Sequence, residues 1–139
     1  MIDRYLTFRY SCGVDMEHTG LYFKGVVITG EGEAGPLYGM PTANLCFSAQ
    51  PDIDTGIYAA RVNHAGKHYN AVVCYGPDLK PKFEVHLFEF SQNIIGEELE
   101  GNILEKISEF VDLYSIERIR QKILHDIELV KDYFQTHSL

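Results

Sequence analysis

The sequence has no tryptophan, only three cysteines and only five prolines. No apolar run approaches the roughly 20 residues that a membrane-spanning helix needs. The cysteines, Cys12, Cys46 and Cys74, are odd in number and irregular in spacing. That argues against a disulfide framework, and no C-x-x-C pair is present to hold zinc. Free thiols suit a reducing compartment. Positive charge is scarce as well, with 12 Lys and Arg against 20 Asp and Glu and a formal net charge of −8. An acidic surface repels phosphate backbones and counts against nucleic-acid binding as the main role, while a local pocket can still take a small phosphorylated ligand. The start, Met1-Ile2-Asp3-Arg4, lacks the basic-then-apolar layout of a signal peptide. A cytoplasmic protein is expected, with no membrane contact and no obligate protein partner.

What is present is enough for one domain. The 139 residues, 45% of them apolar, can bury a core without disulfides or a structural metal. Residues 1–18 show no clear periodicity and read as an arm. Leu21 to Thr29 reads as a strand, and Gly30 to Pro36 as a loop. Thr42 to Phe47, Gly56 to Val62, Lys67 to Cys74, Lys82 to Phe90 and Glu98 to Lys106 read as further strands. Asn63-His64-Ala65-Gly66 is a hairpin turn signal, and Gly101 weakens the last strand. The texture then changes. Ile116, Ile119, Ile123, Ile127 and Val130 recur at steps of three and four, one face of an amphipathic helix over 115–134. Ser115 is placed as its N-cap and Glu117 lies in its first turn. Six short strands close on themselves or stack to avoid open edges. The pattern alone leaves barrel and sandwich open.

Three segments carry candidate chemistry. Gly30 to Gly39 is glycine-rich, and consecutive backbone amides can form an anion-binding nest; a plain surface loop accounts for the same glycines. In Pro41-Thr42-Ala43-Asn44, an extended backbone points Thr42 and Asn44 to one side. Their oxygens suit Mg²⁺, a hard cation, and equally suit the satisfaction of turn amides. In Phe83-Glu84-Val85-His86-Leu87-Phe88, alternation puts Phe83, Val85 and Leu87 on one face and Glu84 and His86 on the other with Phe88 and Phe90. A carboxylate among aromatics is partly desolvated, which raises its pKa toward that of a working base; a solvated or paired Glu at a barrel mouth is the plain alternative. His86 alone reads as a hydrogen-bonded structural histidine, and His18, His64, His68, His125 and His137 show no metal-ligand spacing. The nine Tyr and eight Phe can stack on a planar ligand or fill a core.

Taken together, the three segments resemble the riboflavin kinase family, found alone or as the C-terminal module of bifunctional FAD synthetases. The resemblance lies in Gly25-Val26-Val27, the loop from Gly30 to Gly35 and Gly39-Met40-Pro41-Thr42-Ala43-Asn44-Leu45. It continues through Gly56-Ile57-Tyr58-Ala59, Glu84-Val85-His86, Gly96-Glu97-Glu98-Leu99 and Ile123-Leu124-His125-Asp126. It covers about residues 20–134, in order. It implies a six-stranded antiparallel Greek-key β-barrel with a C-terminal α-helix: one domain over 1–139, with the barrel at 19–107 and the helix at 115–134. It also implies a kinase that makes FMN and ADP from riboflavin and ATP with Mg²⁺. By the same resemblance, Glu84 takes the proton from the riboflavin 5′-hydroxyl, and Thr42 and Asn44 hold the metal. Gly30, Gly32 and Gly35, with Thr42, hold the nucleotide phosphates. The chain departs from the pattern at Glu31 and Glu33, where the family usually carries Arg or Lys, at Ile107-Ser108 in place of Ile-Arg, and at Ile95 in place of Tyr. The acidic loop keeps a second reading open, a non-catalytic flavin- or nucleotide-binding barrel. FAD synthesis is not expected of 139 residues.

Overall fold

The β-branched and aromatic runs form six strands in the computed structural model, which describes residues 21–28, 43–49, 51–77 and 82–137. The strands are β1 (Tyr22–Ile28), β2 (Ala43–Ala49), β3 (Gly56–His64), β4 (Lys67–Gly76), β5 (Lys82–Leu87) and β6 (Glu98–Ser108). One helix, α1 (Ile116–Thr136), follows them. Going round the sheet the order is β1-β2-β5-β4-β3-β6, and β6 pairs again with β1, so the barrel is closed. Every pairing is antiparallel. Strands β3, β4 and β5 pair in succession and β6 returns beside β3, which is a Greek key. Closure resolves the choice between barrel and sandwich that sequence pattern leaves open. It depends on the pairings β1–β6 and β2–β5, which join residues far apart in the chain.

The interior is filled by alternate residues of each strand. Phe23, Val27, Leu45, Tyr58, Val73 and Phe83 are among those buried there. The Phe83 ring lies 4.8 Å from Phe47 and 5.0 Å from Phe23, centroid to centroid. The β3–β4 hairpin turns on Ala65 and Gly66, both with positive φ, 52° and 84°, the backbone that a two-residue primed turn requires. Beside it the barrel end is stopped by the buried Ile94 and by His64, whose Nε2 is 2.7 Å from Glu97 Oε1. The rings of Tyr69 and His64 both meet Phe90 edge-on.

Helix α1 lies outside the barrel on β3 and β4. Ser115 caps it in extended conformation, its hydroxyl accepting from the Arg118 amide. Ile127 and Val130 pack on Ile57, Ala59 and Val72, with Ile123, Tyr133 and Phe134 at the margin. This second layer explains why Gly56–Ala60 is buried at every position: one face lines the barrel and the other meets the helix. Ile116, which shares the helical spacing, is 55% exposed. Among the described residues no helix is long and apolar enough to cross a membrane.

The expected strand from Lys82 to Phe90 stops at Leu87, and Phe88 and Glu89 form a turn in which Glu89 has φ 58°. The alternation breaks there. Phe88 stays on the outer face, against the helix and beside His86 as expected, whereas Phe90 turns back against the barrel interior, so only Phe90 departs from the expected face.

Candidate active site

Strand β5 positions the central candidate. Its inward side chains, Phe83, Val85 and Leu87, are buried at 4%, 1% and 5% exposure. That leaves Glu84 and His86 half-buried on the outer face. In the ladder Glu84 is in register with Asn44 of β2 on one side and Cys74 of β4 on the other. The link to Asn44 brings together two of the sequence-selected positions that lie forty residues apart. Thr42 and the glycines Gly30, Gly32 and Gly35 lie outside the described residues.

Over this face α1 closes two hollows. A cavity of about 220 Å³ is lined by Ile57, Cys74, Glu84, Phe110, Lys122 and Asp126, among others. A larger groove, about 650 Å³, follows along the strand and helix, with Asn70, His86, Phe88, Leu124, Lys131 and Phe134 in its walls. Among the described residues, the lining around Glu84 includes a thiol, an ion pair, Asp112 and aliphatic side chains, with Phe110 as the aromatic member. The aromatic cluster is in the neighbouring groove. There Phe88 meets Phe134 and His86 edge-on, and the Lys131 ammonium lies 5.9 Å from the Phe88 ring centroid.

The electrostatics of the smaller cavity are legible through Cys74. Burial first, then the negative charges of Glu84 and Asp126, push its thiol up to about 12. Both carboxylates thus act on the half-buried thiol of Cys74 on β4. Asp126 is 3% exposed. Its Oδ2 accepts from Lys122 Nζ at 2.5 Å, while its Oδ1 is buried without a hydrogen-bond partner. Lys122 also donates to Ser108 Oγ at 2.9 Å. A thiolate is the reactive form of cysteine, so Cys74 is expected to resist alkylation in the native protein. Iodoacetamide at neutral pH should label the exposed Cys46 and leave Cys74 unmodified by peptide mass spectrometry. Equal labelling of the two would contradict this account of the cavity.

The sequence points to Glu84 and gives no role to Lys122 or Asp126. A signal was available: the two are four apart on α1 and flank the apolar stripe of Ile119, Ile123 and Ile127. An opposite-charge pair at that spacing is common on exposed helix faces, and only the packing side of α1 shows that this one is covered.

For Mg²⁺, the donor types fit: the Thr42 hydroxyl and the Asn44 amide oxygen are hard donors by residue type, and the Asn44 position is paired with that of Glu84 across β2 and β5.

Comparison with known proteins gives a consistent result. The Flavokinase family model, described as riboflavin kinase, matches residues 18–134. A bifunctional riboflavin kinase/FMN adenylyltransferase of Haemophilus influenzae is 34% identical over 118 residues, covering 81% of this chain and 38% of the relative. An RNA-binding riboflavin kinase of Bacillus subtilis is 32% identical over 117 residues, covering 80% of this chain and 50% of the relative. The chain thus spans half or less of the length of these relatives. Among solved structures, riboflavin kinase from Trypanosoma brucei has the same fold, with a TM-score of 0.55 at 18% identity over 83% of this chain and 80% of that one.

Proposed function

We infer that this chain, which belongs to the riboflavin kinase family, is itself a riboflavin kinase that transfers the γ-phosphoryl group of ATP to the riboflavin 5′-hydroxyl. The observation that carries this reading is Glu84: a half-buried carboxylate at a cavity under α1, in register with Asn44 and next to an aromatic groove.

The groove suits the flavin ring. Phe88, Phe134 and Leu124 offer apolar surface, and His86, Lys131 and Asn70 offer polar edges. The ribityl chain then follows β5 toward Glu84, two residues back along the strand and about 7 Å away. Glu84 accepts the proton of the 5′-hydroxyl as its oxygen bonds to the γ-phosphorus. The bond to the ADP oxygen breaks and ADP leaves. Thr42 and Asn44 would hold Mg²⁺, and the amides of Gly30, Gly32 and Gly35 would hold the phosphates. The ion held there would supply positive charge against the negative charge that develops on the transferring phosphoryl group.

The test is incubation with riboflavin, ATP and Mg²⁺ followed by chromatography for FMN. Flavin binding without FMN formation would favour the non-catalytic binding barrel, which the acidic Glu31 and Glu33 support. Within the kinase reading, Phe88→Ala is expected to raise the riboflavin Kd by about tenfold, because an aromatic contact and its buried area are lost. It should leave kcat within about twofold, since the ring touches substrate and transition state alike. An unchanged Kd by fluorescence titration would move the flavin ring elsewhere.

A further inference from the structure

Lys122 is held unusually well for a lysine. Its ammonium donates to Ser108 Oγ on β6 and to Asp126 Oδ2 one turn along α1, at 2.9 and 2.5 Å. Its side chain is 24% exposed, whereas that of Asp126 is 5% exposed. An ammonium has three N–H donors, so one remains for the cavity that Lys122 lines together with Glu84. Burying an ion pair is a poor way to gain stability, because desolvation offsets the attraction. The second oxygen of Asp126 is moreover left without a partner. The clamp is better explained by where it puts the ammonium.

We propose that Lys122 contacts the phosphoryl group at the transfer site, with Asp126 and Ser108 as the positioning residues that aim it. The inference rests on the kinase reading above and adds to it a residue and a ligand group. If Glu84 takes the proton from the attacking hydroxyl, the phosphorus that receives that oxygen must enter the same cavity. Its oxygens carry spreading negative charge. Among the described residues lining the cavity, Glu84, Asp112 and Asp126 are acidic and Lys122 is the one cation. A phosphoryl group brought into that field needs a fixed donor, and the third N–H of Lys122 supplies one without any rearrangement of its stem. After transfer the same contact falls on the phosphate of FMN, while riboflavin, which lacks the phosphate, does not make it.

That difference is the test, and it needs no turnover. Flavin fluorescence titrations at low salt would compare FMN with riboflavin. The proteins are the wild type, Lys122→Met, Lys122→Arg and the double variant Lys122→Met with Asp126→Asn. The double variant leaves no buried carboxylate without its cation, so it decides the matter if Lys122→Met fails to fold. Loss of a charge-assisted hydrogen bond should weaken FMN binding by about tenfold or more in the Met variants. Riboflavin binding should change by less than about twofold, and Lys122→Arg should keep most of the FMN affinity. Equal weakening of both flavins, or of neither, in the folded double variant would overturn the role of Lys122 and leave the kinase reading standing. A wild type that binds neither flavin would overturn both.

Discussion

Glu84→Gln is expected to lower FMN formation by about 10²–10⁴-fold, the range a general base contributes, with riboflavin binding held within about twofold. The amide has the size and shape of the carboxylate and loses the proton-accepting oxygen. The backbone around it gives no reason for misfolding. Val85 and Phe83 on the inner face fix β5, and the ladders to Asn44 and Cys74 do not involve the side chain of residue 84. Removing one of the charges facing Cys74 also relieves repulsion in the cavity. Glu84→Asp separates position from chemistry. It keeps the carboxylate and withdraws it by one methylene, and a misplacement of about 1 Å can cost about 10²-fold in rate. Single-turnover rates and flavin titrations on the same samples check both variants. A Gln variant with near wild-type turnover would remove Glu84 from the mechanism, and a Gln variant that no longer binds flavin would make it a binding residue.

How far the sequence reaches can be judged at particular residues. The period of two in β5 assigns Phe83, Val85 and Leu87 to the interior and Glu84 to the outside, and the structure agrees. The period fails after Leu87 because a turn with positive φ at Glu89 is invisible in a run that still reads Phe-Glu-Phe. The helix is legible to within two residues, 115–134 against Ile116–Thr136, since spacing and an N-cap are local signals. Its packing side is not local. The spacing of Lys122 and Asp126 does not show that the Asp126 side chain is covered; the packing of α1 on the barrel does. Barrel closure is likewise a matter of long-range register. Motif resemblance supplies what periodicity cannot, a proposal that Asn44 and Glu84 serve one site, and the two positions are paired across β2 and β5.

Gly101 shows the opposite case, a residue read as a weakness that packing requires. It lies in β6 in register with Phe23 of β1 and Val62 of β3. Its strand neighbours on the same face, Leu99 and Ile103, are buried at 0% and 2%. A β-carbon there would lie 2.5 Å from the Arg61 carbonyl oxygen and 2.9 Å from the tip of the Phe23 ring. Phe23, fully buried, is itself held by Phe83 at 5.0 Å, so the ring cannot swing away freely. Gly101→Ala is therefore expected to destabilise the barrel by about 1–3 kcal/mol or more, as overpacking does. That corresponds to roughly 4 °C of Tm per kcal/mol for a domain of this size. Phe23→Ala should cost about 3–5 kcal/mol by leaving a cavity. The two effects should not add. With the ring gone, the methyl group that Gly101→Ala introduces fills part of the space, so the double variant should be more stable than the sum by about 0.5–1 kcal/mol. Rescue should stay partial, because the nearer obstacle, the Arg61 carbonyl, is backbone and remains. Denaturant melts of the four proteins measure the coupling. Strict additivity would mean that the ring tip and the new methyl do not compete for the same volume, and full rescue would mean that the β3–β6 ladder yields more readily than its register implies.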